Sequence, residues 1–401
     1  MKRISVIAAS VLVAISVFAP IASAAEPDTD IVLSESEVSQ WTEPVSAGPQ
    51  PTFGPESEEA EQATDLFAFA ESSASLLHAS DVVISGSGWS HGVGMSQYGA
   101  FAQALAGRSY KTILSTYYAG STLKTNVAPE NYWVNLENEA VKVVLTAKQI
   151  VSGAVPVTVT RGSESFELGN GESVTIEHTG IAGGVRQCSI TSDSFTSETG
   201  PCNIDLEWDG WAASPTMRVV IDKVWYSDSP AGGEECTHSV SPLNLECAYS
   251  RGTIHIRPDD NNEPAPFDIG FHVVVEIDRD DYALGIGESP YSWPTDALKA
   301  QAVAARGFAS WVKDQRSSVE QRPWCWCNIY DQSPDQVYLG WGFGTTKWVS
   351  AVRETEGHLM TYGSEPVAAF YGSSTGGYTE NNEDIWRGTP IDYLRSNSDV
   401  W

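Results

Sequence analysis

The segment that decides the fold class begins Phe271-His-Val-Val-Val-Glu-Ile277, continues through Asp281-Tyr-Ala-Leu-Gly-Ile-Gly-Glu288 and reaches Trp293-Pro-Thr-Asp-Ala-Leu298. Its first part is rich in apolar, β-branched residues, which is typical of a strand. Proline is tolerated in the first turn of a helix, so a helix is expected to start at Trp293-Pro294. Apolar residues then recur at helical spacing, namely Leu298, Ala302, Ala305, Ala309 and Val312.

The chain before this segment is predicted to be mostly β. Short apolar or alternating runs lie between Gly, Asn and Ser turns at residues 141–145, 155–159, 173–176, 217–221 and 253–256. We therefore expect an α+β fold, β-rich with a few helices. A β-rich region at 129–270 is inserted between an N-terminal segment, 81–128, and a core, 271–401.

The segment 81–128 carries its own signals. Residues 82–84 are predicted to form a strand, and a glycine-rich stretch follows at 86–94. A helix is expected at 96–106, ended by Gly107, and a second at 110–118, capped by Ser109 and ended by Gly120.

The N-terminus indicates export. Lys2 and Arg3 precede an apolar run at 4–21, which ends in Ala22-Ser23-Ala24, the pattern of a signal peptide (1–24) cleaved after Ala24. Residues 25–80 contain no Lys or Arg and are rich in Glu, Asp, Ser, Ala and Pro, so we expect a disordered acidic tether. The sequence stops at Trp401 without a terminal helix or cap, and one interpretation is that the chain is truncated.

The net charge disfavours two classes of partner. The 401 residues carry a net charge of −29. Nucleic-acid affinity comes from Lys and Arg at phosphates, so a nucleic-acid-binding function is disfavoured, as is adsorption on anionic membranes. Beyond the N-terminal run, no stretch is long and apolar enough to predict a transmembrane anchor. The expected location is therefore secreted or in the cell wall.

Six cysteines fall in three close pairs, Cys188/Cys202, Cys236/Cys247 and Cys325/Cys327. An even number in an exported chain predicts disulfides within these pairs. The first two would close short loops, and the third would bridge residues separated only by Trp326.

Glu288 is the carboxylate that the local sequence singles out. It lies between a predicted strand and a predicted helix, among the apolar neighbours Ile286, Pro290, Tyr291 and Trp293. Such surroundings would raise its pKa, as a general acid requires. On local sequence alone, an ordinary Glu at a helix start explains the residue better.

Other motifs give weaker hypotheses. Gly88-Trp-Ser-His-Gly92 and Gly372-Ser-Ser-Thr-Gly376 match the serine-nucleophile pattern, but the surrounding α/β sheet that the pattern needs is not predicted. Asp259-Asp-Asn-Asn-Glu263 lacks the calcium-loop pattern and is interpreted as a solvated turn. No metal site or cofactor is expected. Aromatic residues that could stack on sugars are Trp89, Tyr98, Trp293 and Tyr371.

Four blocks together resemble the stage II sporulation protein D/amidase enhancer (SpoIID/LytB) domain family. They are Asp281 to Arg306 around Glu288-Ser-Pro; Tyr330-Asp331 with Asp335-Gln-Val-Tyr338; Thr355-x-Gly357 with Phe370-Tyr-Gly-Ser-Ser-Thr-Gly-Gly-Tyr-Thr-Glu380; and Gly88-Trp-Ser-His-Gly-Val-Gly-Met-Ser-Gln-Tyr-Gly-Ala100 with Tyr117-Tyr-x-Gly120. Four ordered blocks over about half the chain are more specific than any single motif.

The resemblance implies an activity and a catalytic residue. Glu288 stands at the position of the family's catalytic glutamate, and such members are lytic transglycosylases that act on peptidoglycan strands stripped of peptides. Glu288 would protonate the oxygen between N-acetylmuramic acid and N-acetylglucosamine, and then accept the proton of the muramic C6 hydroxyl as a 1,6-anhydro end forms. Substrate-binding residues are expected from the matched blocks: Trp89, His91, Ser96, Gln97, Trp293, Gln301, Arg306, Tyr371, Ser373, Ser374, Thr379 and Glu380.

The sequence departs from the family in three places. Glu-Met-Pro is here Glu288-Ser-Pro, and the Cys/His segment with which some members bind zinc is here Tyr330-Asp-Gln-Ser-Pro-Asp-Gln336. Gly372 also stands where some members have His. The signature at 88–100 comes before the Glu288 block, which suggests a permuted arrangement in which residues 81–120 pack against residues 280–380.

Two alternatives remain open. A non-catalytic enhancer would bind peptidoglycan and stimulate a cell-wall amidase, and a wall-binding module would only adhere. In both, Glu288 and the signature serve binding alone.

Overall fold

The computed structural model describes residues 88–197, 199–226, 229–235, 247–259, 270–332, 335–341 and 346–401. The predicted signal peptide (1–24), the acidic tether (25–80) and the strand at 82–84 lie outside these residues, as do 260–263 of the acidic run. Within the described residues, no helix has the length and apolar character to cross a bilayer.

Strands predominate over helices in the described residues. The strands are β1 (Met95–Ser96), β2 (Thr122–Lys124), β3 (Asn131–Gln149), β4 (Val157–Arg161), β5 (Glu164–Leu168), β6 (Ser173–Ala182), β7 (Val185–Ser192), β8 (Gly200–Pro201), β9 (Ile204–Glu207), β10 (Met217–Tyr226), β11 (Ser229–Glu235), β12 (Ala248–Tyr249), β13 (Thr253–Pro258), β14 (Phe271–Asp278), β15 (Ile329–Tyr330), β16 (Leu359–Tyr362), β17 (Glu365–Pro366) and β18 (Tyr371–Gly372). The helices are α1 (Gln97–Leu105), α2 (Tyr110–Tyr117), α3 (Arg279–Tyr282), α4 (Thr295–Gln315), α5 (Thr346–Arg353) and α6 (Asn382–Trp386), with 3-10 turns at Ala283–Gly285 and Val319–Gln321. The expected α+β class is confirmed.

Strand β3 pairs with four other strands and lies at the centre of the main sheet. Its 19 residues pair antiparallel with β14, β6 and β10 and parallel with β15. The path β5-β4-β9-β13-β14-β3-β6-β7-β8 therefore runs through it. Glu139 has a positive φ of 56° within β3, next to the point where pairing passes from β14 to β10 and β6. This left-handed residue accompanies the branching of the sheet.

Two smaller sheets bring distant segments together. β1 pairs parallel with β18, and β2 pairs with β16, which in turn pairs with β17. Both sheets join the N-terminal segment to the core across the β-rich region.

Helix α4 lies between two hydrophobic clusters. Leu298, Ala302 and Ala305 pack into the large cluster around the main sheet, whereas Ala300 and Val303 pack into the cluster formed by α1, α2 and β16 to β18. A helix buried on both sides needs small residues, which explains its alanine content.

The predicted helix starts are found. Ser96 caps α1 by accepting from the Gly99 N–H at 2.9 Å, Ser109 caps α2, and Pro294 precedes α4. One strand start is displaced: the run predicted at 155–159 becomes β4 only from Val157, since Pro156 has no N–H for the ladder.

The expected boundary between the β-rich region (129–270) and the core (271–401) falls within one sheet. Strand β14, assigned to the core, lies between β13 and β3 of the predicted inserted region. The two segments therefore share one sheet.

Two of the predicted disulfides are present. Cys188 pairs with Cys202 at a Cα–Cα distance of 5.0 Å, and Cys325 pairs with Cys327 at 5.2 Å. Cys247 is disulfide-bonded, but its predicted partner Cys236 lies outside the described residues, so that pairing stays a prediction.

We predict that replacing Cys188 and Cys202 together by Ser lowers the free energy of unfolding by up to about 3 kcal/mol, because the bridge restricts the unfolded chain. Denaturant unfolding of the exported protein measures this. Replacing Cys325 and Cys327 is the control, since that pair spans only two positions and restricts much less chain. Equal losses in both double variants would contradict the loop-closure explanation.

Candidate active site around Glu288

Glu288 is held by the chain segment that follows β15. The Gly287 N–H donates to the Val337 carbonyl at 3.0 Å, and Ile286 forms an antiparallel bridge with Tyr338. The Val337 N–H donates to Oε1 of Glu288 at 2.6 Å. The carboxyl group is therefore fixed by backbone on a rigid loop between the 3-10 turn and α4.

The surroundings of Glu288 favour its protonated form. Burial raises the pKa of its carboxyl from the usual 4.5 to about 7, and only the Val337 N–H opposes that change. The phenols of Tyr291 and Tyr371 lie close enough for the charge of Glu288 to raise their pKa values further above the effect of burial. Both hydroxyls thus stay protonated beside a carboxyl that can exchange a proton near neutral pH.

Three glutamine amides form hydrogen bonds next to Glu288. Nε2 of Gln97 donates to the backbone carbonyl of Glu288 at 2.7 Å and to Oε1 of Gln301 at 3.2 Å. Nε2 of Gln336 donates to the Tyr371 hydroxyl at 2.8 Å, and Gln301 also contacts Tyr371. The predicted residues Gln97, Gln301 and Tyr371 are therefore brought together with Glu288.

The N-terminal signature reaches the site through β1. Met95 lies opposite Tyr371 and Ser96 opposite Gly372 in a parallel pair, and the Tyr98 N–H donates to the Ser373 carbonyl at 3.0 Å. The predicted contact of the signature with the core is present in the described part, 88–120.

A glycine in the signature is required by this approach. Gly94 has a φ of +78°, and a Cβ there would lie 2.0 Å from the Phe370 carbonyl oxygen. Only glycine fits that backbone at that distance.

His91 packs next to β18 and does not contact Glu288 in the described hydrogen bonds. Its ring packs against Phe370 and Trp386, with centroids 5.9 and 5.1 Å away, and Nδ1 accepts from the Val93 N–H at 3.0 Å. Burial lowers its pKa to about 4, so the ring is neutral at pH 7. It also contacts the backbone of Tyr371. Its contacts are those of a residue that positions β18, and we leave it out of the proposed substrate site.

The aromatic residues divide by exposure. Trp89 and Tyr98 are 57% and 42% exposed, whereas Trp293 is 7% exposed and packs against Tyr98 and Phe101. Trp89 and Tyr98 can offer faces to a sugar, and Trp293 supports Tyr98.

Four of the predicted substrate-binding residues form hydrogen bonds that hold the local backbone. Ser96 is the buried cap of α1 and Ser374 bridges to Trp89 through its N–H, while Thr379 is buried and donates to the Arg395 carbonyl at 3.0 Å. Glu380 is exposed and is tied to the signature by its N–H, which donates to the Gly92 carbonyl at 2.8 Å.

Arg306 is fully buried and engaged. Its guanidinium contacts Asp280 at 2.5 Å and donates to Thr355 and to the Val352 carbonyl. These partners join α4 to α3 and to the end of α5, so we also leave Arg306 out of the proposed substrate site.

The serine-nucleophile hypothesis finds no support in the described residues. Neither Ser90 nor Ser374 has a described hydrogen bond to a histidine, and β-bridge backbone surrounds Ser374. Three or more His, Cys, Asp or Glu side chains in metal-binding geometry do not occur among the described residues.

The sequence did not single out Gln336 or the Val337 N–H. Both belong to the quoted run Asp335-Gln-Val-Tyr338, so the block was found although the roles of its members were not.

Comparisons with known proteins agree with these blocks. A family model described as Stage II sporulation protein matches residues 268–362. Stage II sporulation protein D of Bacillus amyloliquefaciens is 34% identical over 143 residues, covering 32% of this chain and 41% of that protein. The protein of the same name from Bacillus subtilis (strain 168) is 33% identical over 141 residues, covering 32% and 40%.

A third relative carries another name. The "Amidase enhancer" of Bacillus subtilis (strain 168) is 35% identical over 115 residues, covering 28% of this chain and 14% of that protein. The matches thus span about two fifths of the length of the two sporulation proteins. No solved structure matches. Residues 268–362, which include Glu288, are thus similar to the stage II sporulation protein D/amidase enhancer family.

Proposed function

We propose that this protein is exported to the cell wall and cleaves the glycan strands of peptidoglycan as a lytic transglycosylase, with Glu288 as acid and base. The observation that carries the proposal is a protonatable carboxyl, with a pKa of about 7, fixed by a backbone N–H where the family segment meets the N-terminal signature. The relatives' names and the N-terminal sequence support the compartment.

The proposed reaction consumes no water. Glu288 gives its proton to the oxygen between N-acetylmuramic acid and N-acetylglucosamine as the bond from C1 to that oxygen breaks. The carboxylate then takes the proton of the muramic C6 hydroxyl as the C6 oxygen bonds to C1 of the same sugar. Because the nucleophile is part of the substrate, its effective concentration is high.

The surroundings of Glu288 suit this single-carboxyl route. Glycoside hydrolases that use water commonly need two carboxyl groups flanking the scissile bond. No carboxyl group among the described residues contributes to the raised pKa of Glu288, because burial raises that pKa and the Val337 N–H lowers it.

We further propose how the strand is held. Trp89 and Tyr98 would stack on sugar faces, because both are exposed beside β18, and Ser373 lies opposite Tyr98. Gln97, Gln301 and Tyr371 would position the reacting sugar, since their side chains are linked by hydrogen bonds next to Glu288.

We predict that Glu288→Gln lowers the rate of glycan cleavage by about 10²–10⁴-fold, because the amide cannot donate a carboxyl proton. Release of 1,6-anhydro ends from glycan strands without peptides is the measurement. Glu365→Gln is the matched control, since Glu365 is exposed on β17 and contacts Ser364. Near-normal release of anhydro ends by folded Glu288→Gln protein would reject the assignment.

We also predict that Glu288→Gln is more stable than the wild type at pH 8 and equal to it near pH 4. The folded pKa of about 7 exceeds the ordinary 4.5, so folded protein binds more protons between these values and wild-type stability falls as pH rises through them. The full difference is on the order of 3 kcal/mol. A carboxylate that serves only a helix start would behave oppositely, losing about 1 kcal/mol on substitution.

Thermal midpoints of wild type and Glu288→Gln, measured between pH 4 and pH 8, test the direction of this stability difference. The same acid must be protonated to act, so kcat/KM should fall above about pH 7. A variant that is less stable than the wild type at pH 8 would contradict the raised pKa.

One relative favours a second function. Because the "Amidase enhancer" is 35% identical over 115 residues, a role in stimulating a cell-wall amidase is the competing proposal. If neither wild type nor Glu288→Gln produces anhydro ends, and both raise the rate of an amidase on intact peptidoglycan, the enhancer function replaces catalysis.

A further inference from the structure

A cavity of about 330 Å³ lies where β3, β10 and the turn after β15 meet. Its lining includes Glu137, Asn138, Tyr226, Tyr330, Asp331 and Gln332, and none of these contributes a described contact to Glu288. Its volume is in the range of small-molecule sites.

Two carboxyl groups define the chemistry of this cavity. Burial raises the pKa of Glu137 to about 7 and that of Asp331 well above its usual range, and the charge of Glu137 adds to the effect on Asp331. The Tyr226 hydroxyl donates to Oε2 of Glu137, and Glu234 on β11 adds a further negative charge. No lysine, arginine or histidine is among the described lining residues.

A buried hydroxyl lies near these two carboxyl groups. Tyr249 on β12 is 1% exposed, and its hydroxyl has no hydrogen bond within the described residues. The charges of Asp331 and Glu137 both raise its pKa, so the hydroxyl lies near the same carboxyl groups. An unpaired buried hydroxyl is unfavourable, and a ligand that donates a hydrogen bond to it would relieve that cost.

We propose that this cavity binds a small organic ligand through a primary ammonium group, which Glu137, Asp331 and the Tyr249 hydroxyl accept. An ammonium group has three donors and a positive charge, which match two carboxyl groups and a hydroxyl oxygen. A metal ion fits less well, since no group of three or more metal-ligating side chains occurs among the described residues. The proposal stands apart from glycan cleavage.

The binding should depend on pH in a defined direction. The groups that face Glu137 and Asp331 are Tyr226, Glu234, Tyr249 and Tyr338, and burial raises the pKa of each of these tyrosines, so they stay neutral. An alkyl ammonium stays charged up to about pH 10. Binding should therefore tighten from pH 5.5 to pH 8 as Glu137 ionises, with release of a proton.

The experiment titrates 1,5-diaminopentane into the exported protein by calorimetry, at about 0.15 M salt to screen surface charge. The uncharged diol of the same length is the ligand control. Glu137→Gln should weaken binding by about 10- to 100-fold, because it removes a charge-assisted bond. Glu207→Gln, which removes an exposed carboxylate elsewhere on the sheet, should bind as the wild type does.

A second variant guards against a folding defect. Asn138 is exposed and lines the cavity, so Asn138→Arg would place a tethered cation there and should also abolish binding. The proposal is overturned if wild type does not bind the diamine, if all four proteins bind it alike, or if the diol or N-acetylglucosamine binds as tightly.

Discussion

The rest of the structure depends on helix α4 being buried on both sides. One face meets the main sheet through Leu298 and Ala305, and the other meets the β16 to β18 layer, where a Cβ on Gly307 would lie 3.0 Å from that of Ala369. Larger residues would force the layers apart, since interiors are packed as densely as organic crystals. The spacing between the layers is therefore set by alanine and glycine, and with it the distance from Gln301 to β18.

The same helix carries a buried charge that orients it. Arg306 is surrounded by Asp280 and by the acceptors of Thr355 and Val352. A buried ion pair gives little net stability, but removing one partner leaves an uncompensated buried charge. Any other position of α4 along its axis would separate this pair and would therefore be destabilised. Fixing the register of α4 fixes Gln301 relative to Gln97 and Glu288.

The parts of the fold that follow from local rules could be predicted, and the parts that follow from pairing could not. Capping serines and Pro294 mark helix starts because each satisfies or lacks one backbone donor. The run at 141–145 was recognised, but β3 extends over 19 residues because β14, β6, β10 and β15 supply its partners. Glu288 was found from its block, whereas the Val337 N–H that holds it comes from a tertiary contact. His91 and Arg306 were expected at the substrate, because sequence does not show whether a polar side chain faces solvent or packing.

The order of the blocks matters less than the contacts between them. The signature at 88–100 and β18 are separated by the whole β-rich region, yet β1 and β18 pair in register and the Tyr118 hydroxyl donates to the Phe370 carbonyl. Closing a longer connection costs little, about 0.6 kcal/mol for each doubling of its length. The connection here is also ordered by β3 and β14, which run antiparallel to each other and return the chain to α3 beside its starting point. The chain can therefore assemble this site from distant segments, because Gly94 lets the signature approach Phe370 and Gln97 reaches the carbonyl of Glu288.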